Sequence, residues 1–220
     1  MSAPSAPTDM QTAREDLAFL RQLVDTSDAG LPGFGETYLA AGVTYGLQML
    51  LHAGQALGWI SNAPGLALLI GFGPTLAFIP ILIWILWRHR TQKPPAAVTR
   101  AVGAVFGAVG LANLVLVGVI GSVAWREHSV TTWLIYPCAV FVLQGAAWLV
   151  AALLRRRGWM AAVAAGWGAA AIAMAFNVQA FGYYILFAGL GIWGCMALPG
   201  WLMTRMARTD AAPAAAVAAR

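Results

Sequence analysis

The sequence predicts an all-α integral membrane protein: a six-transmembrane-helix bundle of three hairpins, both termini cytoplasmic, preceded by an N-terminal amphipathic helix. Three observations predict it. The 220 residues are 60% hydrophobic and 10% charged, with a mean hydropathy of +0.73, whereas a soluble domain carries about 25% charged residues. Between Thr37 and Thr204 the charged residues are Arg88, Arg90, Lys93, Arg100, Arg126, Glu127 and Arg155 to Arg157, all in short breaks between apolar runs. Finally, Phe72 to Lys93 reads as a span that passes through Trp84 and Trp87 and stops in the basic cluster Arg88-His89-Arg90-Thr91-Gln92-Lys93. Apolar span followed by arginines recurs twice more, and cytoplasmic loops are the ones that collect Lys and Arg. The net charge of +5 is placed for orientation in a membrane, not as a face for phosphates, so nucleic acid is not an expected partner.

Residues 1–35 form the expected cytoplasmic N-terminal segment. Thr12-Ala13-Arg14-Glu15 has the spacing of a capping box. A helix over about 12–26 would place Leu17, Leu20 and Val24 on one face, with Arg14, Asp16 and Arg21 among the polar positions. Such a helix lies on a membrane or packs under a bundle. Through Glu36, however, the segment carries six acids and two arginines, a balance that anionic lipid repels. Docking onto protein, a cytoplasmic partner or the chain's own basic loops, is the favoured use of residues 12–26. Met1 to Thr8 has no basic, then apolar, signal-peptide pattern, so the first span is expected to serve as its own insertion signal.

The membrane domain, 36–204, follows the break Gly30-Leu31-Pro32-Gly33-Phe34-Gly35. Its spans are read as 36–57, 64–87, 97–124, 132–154, 159–176 and 180–203. Pro64 suits a first helical position. The basic clusters Arg88 to Arg100, Arg155 to Arg157 and Arg205 with Arg208 fall on one side, which sets both termini inside. Heavy Ala, Gly and Arg use suggests a GC-rich bacterial genome, hence a bacterial inner (cytoplasmic) membrane with the lipid bilayer as principal partner. Residues 205–220 are an Ala-rich low-complexity tail.

Span 5 repeats Ala161, Ala165, Ala169 and Ala173, with Ala162, Gly166 and Ala170 beside them, and span 3 holds Gly103 and Gly107. Small residues let helix backbones approach closely where lipid provides no hydrophobic drive. Packing inside the bundle is the expected use of span 5; a homo-oligomer through these Ala/Gly-rich faces is the alternative. Gly71, Gly73, Pro74 and Pro80 predict a kink in span 2. Trp59, Trp125 and Trp133 fit one interface and Trp87, Trp159 and Trp201 the other, while Trp167 and Trp193 lie at matching depth and can stack.

Chemistry has few places to reside. No span holds Asp, Glu, Lys or Arg in its interior, which counts against proton pumps and ion-coupled transporters, and no catalytic or cofactor-binding signature occurs. A non-enzymatic scaffold or regulatory role without a cofactor is the leading expectation, with a small-solute permease or channel as the alternative. Thr44, Gln48, His52 and Gln55 form one polar stripe on span 1, and Asn113 and Gln144 join it as mid-membrane polar residues, expected to act as interhelical hydrogen-bond glue. His52 lies ~24 Å up its helix from Glu36, and Cys138 and Met174 come out near the same depth, ~25 Å from their arginines. His52, Cys138 and Met174 therefore form a candidate soft-metal set suited to Cu(I), although the usual roles of such residues are core hydrogen bonding and packing.

Overall fold

A computed structural model describes residues 33–91 and 97–207. The N-terminal helix read over 12–26 and the tail from 208 onward lie outside the described residues. Among the described residues there are six helices: α1 Phe34–Ala56, α2 Pro64–His89, α3 Ala97–Glu127, α4 Val130–Arg155, α5 Gly158–Phe176 and α6 Phe181–Ala207. Five of them, α2 to α6, are long and apolar enough to cross a membrane. The chain is thus an all-α, multi-pass membrane helical bundle. α1 has 23 residues, length enough to cross, but its polar stripe and Glu36 keep it out of that apolar set.

Three helix starts have a visible local cause. Gly33 adopts φ 71°, a left-handed conformation that only glycine takes without strain, and its carbonyl accepts Thr37 N–H at 2.8 Å. A Cβ there would also strike the His89 ring and Ile85. α2 begins on Pro64, whose missing N–H is an orphan in any first turn. α4 is capped by Ser129, whose Oγ accepts Thr132 N–H at 3.1 Å. The tight turn before it lets Thr132 Oγ1 donate to Glu127 Oε2 at 2.9 Å.

Apart from α2 and α3, helices adjacent in sequence pack together among the described residues, and α6 closes on α1. The ring has one open seam: among the described residues α2 and α3 do not pack along their lengths. These are also the least covered helices, with 6% and 0% of their apolar windows buried, so their side chains face lipid. On α3, Thr99, Val102 and Ala124 are buried and Phe106, Val109, Asn113, Leu116 and Ile120 half-buried. From Thr99 to Ile120 the spacing alternates three and four residues, a coiled-coil-like stripe laid on α4.

The α1–α6 pair is the closest contact. A Cβ on Gly42 would run into the backbone of Ala197, and one on Gly200 into the backbone of Leu39. α6 makes this approach through a π-turn at Trp193–Ala197, just before Pro199. Proline cannot donate to the preceding turn, and a wider π-turn absorbs the mismatch. Of the small-residue rows on α5, Gly166 and Ala170 are used inside the bundle, while Ala162, Ala165 and Ala169 are exposed. Gly145 of α4 lies against the Ala164 carbonyl, Gly166 against Cys195 Sγ, and Gly191 of α6 against Ala170. Gly107, Gly110 and Gly118 of α3 meet nothing within 4 Å.

One end of the bundle gathers the charges and an aromatic cluster. Glu36 holds His89 at 3.2 Å and Arg88 at 3.7 Å. Arg155 donates to the fully buried Thr99 at 2.9 Å, fixing α4 to the start of α3. Phe34, Tyr38, Phe106, Trp148 and Trp159 form a chain of ring contacts with centroids 5.2 to 5.8 Å apart. Trp148 Nε1 donates to Tyr38 Oη at 2.7 Å. Arginines sit over indole rings at the same end, Arg88 over Trp84, Arg90 over Trp87 and Arg205 over Trp201, each pair set by helical spacing.

Candidate functional site

Four polar side chains run up α1, and each is bonded within the protein. Thr44 Oγ1 donates to the Ala40 carbonyl one turn back, at 2.7 Å. Gln48, buried, sends Nε2 to the Gly71 carbonyl of α2 at 2.8 Å. His52 Nδ1 and Gln55 Oε1 are 3.2 Å apart. Gln55, also buried, donates Nε2 to the Ser61 carbonyl at 3.1 Å, and Asn62 Nδ2 returns a bond to the Gln55 carbonyl at 3.4 Å. The stripe therefore ties the α1–α2 turn and the middle of α2 to α1.

The Gln48 bond has a chemical reason. Pro74 lacks the N–H that would bond the Ile70 carbonyl, and its ring pushes that turn open. Gly71 is the next carbonyl along, three residues before the proline. A second, independent bond repeats the pattern. Tyr184 of α6, 3% exposed, donates Oη–H to the Leu134 carbonyl of α4 at 2.7 Å, three residues before Pro137. In each case a neighbouring helix supplies a donor beside a proline, the means by which membrane helices tolerate that residue. Removing only the hydroxyl by Tyr184→Phe should destabilise the bundle by about 0.5–1.5 kcal/mol. SDS titration in mixed micelles reads this, and an unchanged midpoint would mean that Leu134 needs no donor.

Of the candidate metal set, two members belong to the extended apolar core. Met174 is fully buried in the apolar core, and Cys138 packs against that core beside Tyr184, with Sγ 3.8 Å from Oη. His52 is not part of this cluster, and its ring nitrogen engages Gln55. Among the described residues no three His, Cys, Asp or Glu side chains come together as a metal group. Cys138 and Cys195 are free thiols.

Asn113 and Gln144 face the α3–α4 interface at equal distances along their helices from the turn between them. Their side-chain oxygens, Oδ1 and Oε1, are buried without a partner. The expected interhelical glue therefore takes no visible hydrogen bond through these oxygens. Trp167 does not stack on Trp193. Its ring meets Phe141 edge-on at 4.7 Å, while Trp193 lies over Gly46 and is 45% exposed.

Sequence reasoning missed Tyr38, Phe106 and Trp148. Trp148 lies in neither interface belt, and an indole within a bundle needs an acceptor for its N–H. That was the available signal, but its partner stands 110 positions away.

The fold defines a multi-pass helical membrane protein. Comparison with protein-family models, with curated proteins and with solved structures gave no match for this chain.

Proposed function

We propose that the chain is a non-enzymatic scaffold or regulatory protein of a bacterial cytoplasmic membrane, with residues 12–26 as its contact for a cytoplasmic protein partner. The observation that carries this reading is the use of the α1 stripe. Gln48 and Gln55 bond the backbone of α2 and of the turn before it, while Thr44 and His52 are bonded within α1, so the polar groups of this helix are satisfied by the protein rather than left to line a path for solute. That weakens the permease reading.

In this proposal all six helices cross, α1 included, shielded from lipid by α2 and α6. The basic end faces the cytoplasm, as Lys and Arg excess directs. The contacts of Glu36 with His89 and of Arg155 with Thr99 support one shared end for the α1 start, α2 end, α3 start and α4 end. The acidic segment before α1 would then emerge beside the basic loops.

The test is cross-linking in native membranes followed by mass spectrometry. A chain lacking residues 1–30 is expected to insert normally and to lose its cytoplasmic cross-links. Retention of every cross-linked protein after the deletion would remove the docking role.

A further inference from the structure

α2 differs from the other membrane-crossing helices in how it is held. It is continuous through Pro74 and Pro80, which withdraw the donors for the Ile70 and Leu76 carbonyls. Gly71 and Gly73 flank the first of these, and a Cβ at Gly71 would meet nothing within 4 Å. The half after the hinge is well anchored. Ile85 is 2% exposed, Phe78 meets the Tyr45 ring at 5.3 Å, and His89 and Arg88 engage Glu36. The half before the hinge, 64–73, also has one buried side chain, Ile70, but among the described residues no ring contact or ion pair to α1. Across to α1 its polar attachments are the Gln48–Gly71 bond and, in the turn before it, the bonds of Gln55 with Ser61 and Asn62. On its other side lies the open seam with α3.

The α4 hinge at Pro137 has the same chemistry but a different setting. α4 packs on both α3 and α5 and buries Leu134, Phe141, Gly145, Ala147 and Trp148 around its clamp. A bend there has nowhere to go. At α2 it moves into lipid.

We propose that α2 is a hinged gate helix: the Gln48 side chain holds the 64–73 half against α1, and release of that hydrogen bond, with yielding of the turn bonds from Gln55 to Ser61 and from Asn62 to Gln55, lets this half swing about Pro74 and widen the seam between α2 and α3. α1 then acts as the frame, since Gly42 and Gly46 lock it to α6. The ten-residue arm is ~15 Å long, so a ~20° bend at a proline moves its tip by ~5 Å.

Spin labels at Leu68→Cys and Val119→Cys, both exposed positions on the two sides of the seam, report the opening in the full chain in nanodiscs. The background is Cys138→Ala with Cys195→Ala. Gln48→Met keeps the side-chain length and removes the donor. It is expected to lengthen the distance or add a second population ~5 Å longer. Tyr184→Phe, which frees the other proline, is expected to leave this distance unchanged. Pro74→Ala, alone or combined with Gln48→Met, restores the helical donor and is expected to give one narrow distribution. This variant reads the hinge even where Gln48→Met lowers yield. A distribution in folded Gln48→Met equal to that of the parent would overturn the proposal, as would a broad distribution that Pro74→Ala does not narrow.

Discussion

Trp148→Ala is expected to lower the stability of the bundle by about 3 kcal/mol, at the bottom of the range for buried tryptophan. Trp148 is 1% exposed and touches Tyr38, Phe106 and Trp159, on three different helices. Truncation leaves a cavity where α1, α3, α4 and α5 meet and takes the Nε1–H away from Tyr38 Oη. The lower figure follows from the solvent. Lipid is as apolar as the core, so the loss is one of dispersion and packing, with little hydrophobic transfer added. Trp148→Phe separates the two parts. It keeps most of the ring volume and gives up the hydrogen bond, so it should cost about 1 kcal/mol. SDS titration followed by tryptophan fluorescence and circular dichroism gives both numbers. Equal losses for Ala and Phe would mean that the hydrogen bond, not the packing, carries the cluster.

The multi-helical membrane character of the chain was legible because it rests on one-dimensional signals. Apolar runs are counted along the sequence, and Pro64, Ser129 and the arginine clusters act on their own neighbours. The π-turn was not legible: it answers both Pro199 and the close approach of α1, and the second of these is a tertiary fact. Depth along a helix could be read, but rotation could not. His52, Cys138 and Met174 come out at one level in the sequence. In the structure Met174 and Cys138 join one cluster and His52 turns to Gln55, because the angle around each helix is set by its packing neighbours. The stripe Thr44, Gln48, His52 and Gln55 was visible for the opposite reason. Its members share one helix, so their relative angles are fixed by 3.6 residues per turn. What they bond could not be read, since the acceptor of Gln48 is a carbonyl on another helix.

The same distinction between level and angle decides which glycines matter. Gly42→Ala and Gly200→Ala should each destabilise the chain by about 1–3 kcal/mol, although alanine is the better helix former by up to ~1 kcal/mol. In both, the new methyl meets main-chain atoms, of Ala197 and of Leu39, and a backbone cannot rotate aside as a side chain can. The only relief is for α1 and α6 to part, which also loosens Trp193 over Gly46 and Leu50 over Gly189. Since one separation accommodates both methyls, the double variant should cost less than the sum of the singles. Gly107→Ala and Gly110→Ala on α3, with nothing within 4 Å, should leave stability unchanged or raise it by up to ~1 kcal/mol. Unfolding midpoints of the five proteins in one detergent series test this. Losses at Gly107 or Gly110 as large as those at Gly42 would show that the open face of α3 is covered by another helix in the membrane, and additive losses at Gly42 and Gly200 would show that α1 and α6 yield locally instead of moving apart as rigid rods.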